Sequence, residues 1–179
     1  TWKSVVGTNV AADALSNLAS SGVTGGAMVI VGEDYGEGSS IMQERTYAFA
    51  MKAQMWLLDP RPNLTSMVAM VEQGFRLSEA SSTPVFYMMR IRECHVTGEF
   101  IAGDNVAPTY SNLNKVQPKR EAEKIILPPN VYDQEQEKVA SRWPAAVQYI
   151  SDNLLNEFFP GKYDEVGIIT CGGSCNTVI

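Results

Sequence analysis

A short turn, Gly7-Thr8-Asn9, separates the apolar pair Val5-Val6 from a run with helical spacing, with Asn9 placed to cap that helix. The free amides and positive dipole end of a helix start suit a carboxylate or a phosphate. Gly7, Thr8 and Asn9 are therefore candidate cofactor contacts, although an ordinary capped turn uses the same residue types. A second polar cluster, Gly32 to Ser40, follows the next apolar run. Its glycines lack the dinucleotide-binding spacing, and its carboxylates Glu33, Asp34 and Glu37 would repel a phosphate. Nothing in the chain matches GxxxxGK[ST]. Ser39, Ser40, Gln43 and Arg45, at the start of the following helix, are candidate substrate contacts, and Arg45 can pair a carboxylate bidentately. Solvated helix-terminal polar residues are the competing interpretation.

Other chemistries are excluded by count or by spacing. His95 is the only histidine, so neither a histidine-based triad nor a multi-histidine metal site is available. Cys94 and His95 are adjacent, and in a strand their side chains would point to opposite faces, against a Cys-His dyad. Cys171 and Cys175 have CxxxC spacing, which matches neither a redox motif nor a zinc site. Gly103-Asp104-Asn105, with Asn112 and Asn114 downstream, lacks the third glycine and the flanking strand and helix of a GDG…N magnesium signature. No catalytic residue and no metal ligand is assigned, and the three cysteines are expected to be free thiols.

The elements that must position these residues alternate. After the strand-like Thr1 to Val6, residues Val10, Ala11, Ala14, Leu15 and Leu18 recur at helical spacing until Ser20-Ser21-Gly22. Ala27 to Val31 is a continuous apolar run bounded by glycines, as expected of a strand covered on both faces of a parallel sheet. Gln43 to Ala53 is predicted helical with Tyr47, Ala48, Met51 and Met55 inward, and Met55 to Leu58 is a short strand. Asn63 caps a helix whose stripe is Leu64, Met67, Val68, Val71, Phe75 and Ser78. Pro84 to Ile91 is the fourth strand. The order β-α-β-α-β-α-β predicts an α/β fold, a three-layer parallel sheet with helices on both faces. Ligands then bind beyond the carboxyl ends of the strands, where the loops just described fall.

From Glu93 to Asn130 periodicity disappears among scattered Gly and Pro, predicting an extended arm that adds no strand to the sheet. Its apolar residues, including Ile101, Val106, Tyr110, Leu113, Val116 and Ile125 to Leu127, are expected to dock on the α/β layer or a second subunit. Val131 to Phe159 is helical again, with a corner at Trp143-Pro144. Tyr163 to Thr170 is predicted as a strand, followed by the turn Cys171 to Ser174 into a helix. The expected divisions are 1–98, 99–130, 131–162 and 163–179, the last opening a second α/β unit.

With 179 residues, 45% apolar and 19% charged, the chain can bury a core and is no disordered polymer. A net charge of -6, with basic residues clustered only weakly near Lys115 to Lys124, argues against nucleic acid. No apolar run approaches the ~20 residues of a membrane span. Three cysteines without a disulfide framework fit a reducing compartment, and a cytoplasmic protein is expected. The absence of Met at position 1, and an end just after a strand and turn, suggest a segment of a longer polypeptide.

The ordered text is more specific than any single motif. Ser4 to Asp13, Gly22 to Val31, Asp34 to Ser40, Leu58-Asp59-Pro60, and Ser78-Glu79 leading to Pro84-Val85 together resemble the alpha subunit of the indolepyruvate ferredoxin oxidoreductase family. The far portion, Glu135 to Tyr149 and then Val166 to Ile169, resembles the entry to that family's transketolase C-terminal-like domain. The resemblance implies thiamine diphosphate-dependent oxidative decarboxylation of an aryl 2-oxoacid to an acyl-CoA. It also implies electron transfer to ferredoxin through iron-sulfur clusters. Residues 1–98 would be part of the pyrimidine-binding domain, with the catalytic glutamate upstream and the magnesium-diphosphate site and clusters elsewhere in the parent enzyme. Pairing of such domains implies a homodimer or hetero-oligomer. Where the family has Gln-Asn-Glu-Gln after the serines, this chain has Ile41-Met42-Gln43-Glu44. The alternatives are a non-catalytic α/β interaction domain and a non-oxidative thiamine diphosphate-dependent decarboxylase.

Overall fold

The computed structural model describes residues 2–3, 5–33, 45–106, 121–163 and 165–179. Four strands form one parallel sheet: β1 (Trp2–Lys3), β2 (Met28–Glu33), β3 (Trp56–Leu58) and β4 (Val85–Arg90), in the order β1-β2-β4-β3. The connecting helices are α1 (Val5–Val10), α2 (Ala12–Ser21), α3 (Thr46–Ala53) and α4 (Leu64–Ser81). From β1 to β2 and on to β3 the chain moves one way across the sheet. Right-handed crossovers therefore put the intervening helices on one face. The step from β3 back to β4 reverses direction and carries α4 to the opposite face.

Side-chain alternation along the strands fills both layers. Val29, Val31, Leu57 and Phe86 pack with Leu15 and Ala19 of α2 and with Ala50 and Ala53 of α3. Met28, Ile30, Leu58, Val85 and Tyr87 pack on the other face with Leu77 of α4 and with Ala146 of a later helix. The expected three-layer α/β fold is present. The buried Tyr87 hydroxyl donates to the Met67 carbonyl at 2.7 Å, and burial pushes its pKa up to about 12.

Helix phases differ from the expectation in two places. In α3 the buried residues are Thr46, Ala50 and Ala53, while Tyr47 and Met51 are 48% and 75% exposed. In α4 they are Met67, Gly74, Leu77, Ser78 and Ser81, while Val68 and Phe75 are each 44% exposed. In α4 the cause is close approach to the sheet: a Cβ on Gly74 would lie 2.9 Å from Leu58 Cδ1 and closer still to Met28. At that contact only glycine fits, and the larger Met67 and Leu77 fill the inner face on either side of it. Asn63 caps α4 as expected, its Oδ1 accepting from the Ser66 amide at 2.9 Å.

Beyond β4 a short helix, α5 (Ile91–Cys94), replaces the expected continuation of the strand, so Cys94 and His95 are not strand neighbours. The described arm residues add no strand, in keeping with the expectation. Ile101 and Val106 are 100% and 85% exposed rather than docked on this chain, and Tyr110, Leu113 and Val116 lie outside the described residues. Helix α6 (Asn130–Glu137), a π turn (Lys138–Arg142) and α7 (Trp143–Asp152) run on without the expected corner, Arg142 and Trp143 both having helical φ and ψ. The wider π turn accommodates the Pro144 ring against the preceding backbone, so the helix need not break.

The described residues of 163–170 form no strand, which corrects that expectation. Val166, Ile168 and Ile169 are 68%, 67% and 99% exposed, and a strand needs a neighbour to complete its ladder. A 3-10 turn (Gly172–Ser174) and α8 (Cys175–Val178) follow. Among the described residues no helix is long and apolar enough to cross a membrane.

Candidate functional site

Parallel strands deliver their last residues to one edge, and here the last residues are charged. Glu33 ends β2 and stands in register with Arg90 at the end of β4. Asp59 follows β3 directly. Arg90 donates to Asp59 twice, Nη2 to Oδ2 at 2.6 Å and Nε to Oδ1 at 3.3 Å, a bidentate pair across adjacent strand ends. Three strands thus gather two carboxylates and a guanidinium in one row.

Glu33 is 3% exposed. Its Oε1 accepts from the Thr46 amide at 3.2 Å, at the start of α3, and its Oε2 is buried without a hydrogen-bond partner. Glu93, on α5, is 2% exposed and neither of its carboxyl oxygens has a partner. Burial raises the pKa of both. For Glu33 the Thr46 hydrogen bond and the nearby Arg90 and Arg45 charges offset this in part. For Glu93 the Arg90 backbone offsets some of the rise, the Asp59 charge adds to it, and the Arg90 charge works against it. The same site raises the Cys94 thiol, first by burial and then through Glu93, so the thiol form is favoured over the nucleophilic thiolate. All three cysteines are free, as expected.

The turn at 172–174 closes over this edge. Gly172 has φ +53°, and any Cβ there would strike the Asp59 carboxylate. A Cβ on Gly173 would lie 3.6 Å from Glu93 Oε1. Between the turn and the strand ends is a cavity of about 230 Å³ whose lining includes Glu33, Arg90, Glu93, Gly173, Ser174 and Thr177.

Among curated proteins, indolepyruvate oxidoreductase subunit IorA of Methanothermobacter thermautotrophicus is 25% identical over 179 residues, covering 99% of this chain and 28% of its own length. The same-named subunit of Pyrococcus abyssi is 31% identical over 99 residues, covering 55% of this chain and 15% of its own length. The chain is similar to an internal stretch of IorA. It spans 28% of the length of the first of these relatives. No protein-family model matches the chain, and no solved structure matches it significantly.

Within this IorA-like stretch, the residues singled out from the sequence are dispersed. Val5 and Val6, expected at the end of a strand, and Gly7, Thr8 and Asn9, expected in a turn before a helix, all lie inside α1, a correction to the predicted geometry. Asn9 therefore caps nothing. Thr8 is fully buried and Asn9 is exposed. The helix begins directly after β1 because nothing between Val5 and Asn9 forces a break, and Gly7 alone does not end it. Ser39, Ser40 and Gln43 lie outside the described residues. Arg45 flanks α3 and contributes its charge to Glu33. Sequence analysis missed Glu33, Asp59, Arg90 and Glu93 as a group. A signal existed for Glu33 and Arg90: each is a charged residue closing an apolar parallel-strand run. None existed for Glu93, whose burial depends on a turn 79 to 81 positions away.

Proposed function

We propose that the chain is a segment of an oxidoreductase that oxidatively decarboxylates an aryl 2-oxoacid, indolepyruvate or a close analogue, to an acyl-CoA with ferredoxin as electron acceptor. The likeness to IorA over 99% of the chain carries this reading. A parallel sheet with polar side chains collected at its carboxyl edge supports it. In this reading residues 1–98 belong to a thiamine diphosphate enzyme's pyrimidine-binding domain, 99–130 are an arm, 131–162 linker helices, and 163–179 the start of a transketolase C-terminal-like domain. Gly7 and Asn9 lie on the cofactor side, with the fully buried Thr8 supporting them from within α1, and Ser39, Ser40, Gln43 and Arg45 lie on the substrate side. The enzyme works in the cytoplasm as a homodimer or hetero-oligomer.

The described residues do not fit a magnesium-diphosphate site. No group of three or more His, Cys, Asp or Glu among them is arranged to hold a metal ion, and magnesium demands a near-octahedral oxygen set. That part of the chemistry is assigned to other regions of the enzyme, as are the iron-sulfur clusters, for which three thiols do not suffice.

The test is an anaerobic assay of the polypeptide that carries this chain, supplied with indolepyruvate, CoA, thiamine diphosphate, Mg²⁺ and ferredoxin. Ferredoxin reduction that requires both the 2-oxoacid and CoA is expected. The 179-residue chain alone is expected to give none and to bind the cofactor no tighter than micromolar. Carbon dioxide release without ferredoxin reduction would instead indicate a non-oxidative decarboxylase, and inertness toward every 2-oxoacid a non-catalytic domain; either result overturns the proposal.

A further inference from the structure

β3 is the last strand of the sheet, with β4 on one side and no strand among the described residues on the other. A cavity of about 290 Å³ takes Trp56, Leu57, Leu58 and Asp59 in succession into its wall. Successive side chains of a strand point to opposite faces, so a wall built from four in a row follows the open edge of β3 rather than either face. The helical layer adds Met70 of α4 and Ile150 of α7. The end of α7 supplies the rest: Leu154 has φ +49°, and the Leu155 amide donates back to the Ile150 carbonyl at 3.1 Å, which brings Leu155 and Asn156 onto the cavity. Trp56, Met70, Ile150 and Leu155 pack at the rim of the apolar cluster on this face and are only partly buried. The layer thus stops short of the sheet edge, and the space left is about twice the ~150 Å³ of an apolar cavity that takes up benzene.

None of the described residues lining this cavity is cationic, and its one carboxylate, Asp59, is committed to Arg90. A carboxylate or phosphate guest would be left without a partner. An unpaired strand edge offers backbone N–H and C=O groups, and the Asn156 amide can both donate and accept. Aromatic rings suit the apolar part, since Trp56 presents an indole already tilted against Trp143 at 4.5 Å and Met70 a polarizable thioether. We propose that this cavity binds a neutral two-ring aromatic molecule carrying one hydrogen-bonding group, with its rings against Trp56 and Met70 and its polar group on the Asn156 amide. The inference stands apart from the oxidoreductase reading, because the cavity offers nothing to the carboxylate of a 2-oxoacid, and its failure would leave that reading untouched.

The experiment is titration of the full chain with 2-naphthol, following the Met70 ε-methyl and Ile150 δ1-methyl resonances by NMR. 2-Naphthoate, with the same rings and a carboxylate, is the control. A saturable shift of both methyls is expected with 2-naphthol, while the Leu15 methyls in the opposite layer stay still. 2-Naphthoate should bind at least about tenfold more weakly. Met70→Trp, which fills the cavity, should abolish the Ile150 shift. Asn156→Ala, at an exposed position, should weaken the affinity by about threefold to tenfold through loss of one hydrogen bond. In the unmodified chain, unmoved Met70 and Ile150 methyls, equal binding of the two ligands, or shifts confined to the exposed Val147 would each overturn the proposal whether or not the variants fold. The last of these would mean adsorption to the outer face of α7.

Discussion

Glu33 and Glu93 bind their protons more tightly in the folded chain than in the unfolded one, because burial raises both pKa values above the ordinary 4.5. The folded state therefore holds more protons than the unfolded state once the pH passes that value. Their contribution to stability is fully present at lower pH and is lost as pH rises through the raised folded values. Urea midpoints of the Glu33→Gln/Glu93→Gln double variant should accordingly fall less than those of the unmodified chain as the pH rises above 4.5. Parallel pH profiles would show that the two carboxyls ionise freely in the folded protein. Gly172 is the other residue whose identity is dictated locally. Gly172→Ala adds a Cβ in the left-handed region and drives it into Asp59, at a cost of about 1–3 kcal/mol. Gly167→Ala, with no atom within 4 Å of the new Cβ, should stay within about 0.5 kcal/mol, so chemical denaturation of the pair isolates the effect.

A buried guanidinium ties the long helix formed by α6, the π turn and α7 to the end of α2 and to Thr83, just before β4. Arg142 is 3% exposed and donates to the Ala19 carbonyl at 2.7 Å, the Ser20 carbonyl at 3.1 Å and Thr83 Oγ1 at 3.1 and 3.2 Å. Ala19 and Ser20 lie in the last turn of α2, whose terminal carbonyls lack helical partners, so Arg142 acts as a C-terminal cap supplied from elsewhere in the chain. The π turn turns Lys138 inward together with Arg142, and Lys138 Nζ donates to Gln54 Oε1 at 2.8 Å, just past the end of α3. One helix thus ties the ends of α2 and α3. Arg142→Met keeps the stem's apolar contact and removes every donor, and should cost about 3 kcal/mol by leaving buried carbonyls unpaired. Ser141→Ala, one position away and exposed, should be nearly neutral. Equal losses for the two would refute the capping role.

Across the whole molecule, two apolar runs that look alike in sequence have opposite fates. Val85 to Met88 is wholly buried between the layers, with Phe86 at 0% exposure, whereas Ile168 and Ile169 are largely solvated. Phe86→Ala should therefore cost about 3–5 kcal/mol and Ile169→Ser no more than about 0.5 kcal/mol, measured as urea denaturation of the chain. A large loss at Ile169 would mean that the 163–170 segment packs into the fold after all. The tail beyond α7 is instead held through side chains: Arg61 pairs with Glu157, Nη2 to Oε1 at 2.7 Å, and its guanidinium lies 5.3 Å from the centre of the Phe159 ring. These contacts, with the turn over Asp59, bring the last residues back to the sheet's carboxyl edge.

Local physics was enough to determine the alternation of strands and helices from α2 to β4. Continuous apolar runs bounded by glycine, the Asn63 cap and the breaks at Gly22 and Asp59-Pro60 act through neighbours a few residues apart, and all reappear in the structure. The right-handed crossover rule then turned that order into a layered parallel sheet. Helix phase was not legible for α3 and α4. Each carries two apolar stripes, and contact with the sheet chooses between them: in α4 Met28 and Leu58 leave room only for glycine at position 74, and in α3 Ala50 and Ala53 meet the opposite sheet face. Nor was the continuous helix through Pro144, because a π turn depends on what Lys138 and Arg142 find to bind. The candidate site was least legible of all. Asp59, Arg90 and Glu93 acquire their roles from partners on other strand ends and from the turn at Gly172, and burial of a carboxyl is a property of what folds over it rather than of its neighbours in the chain.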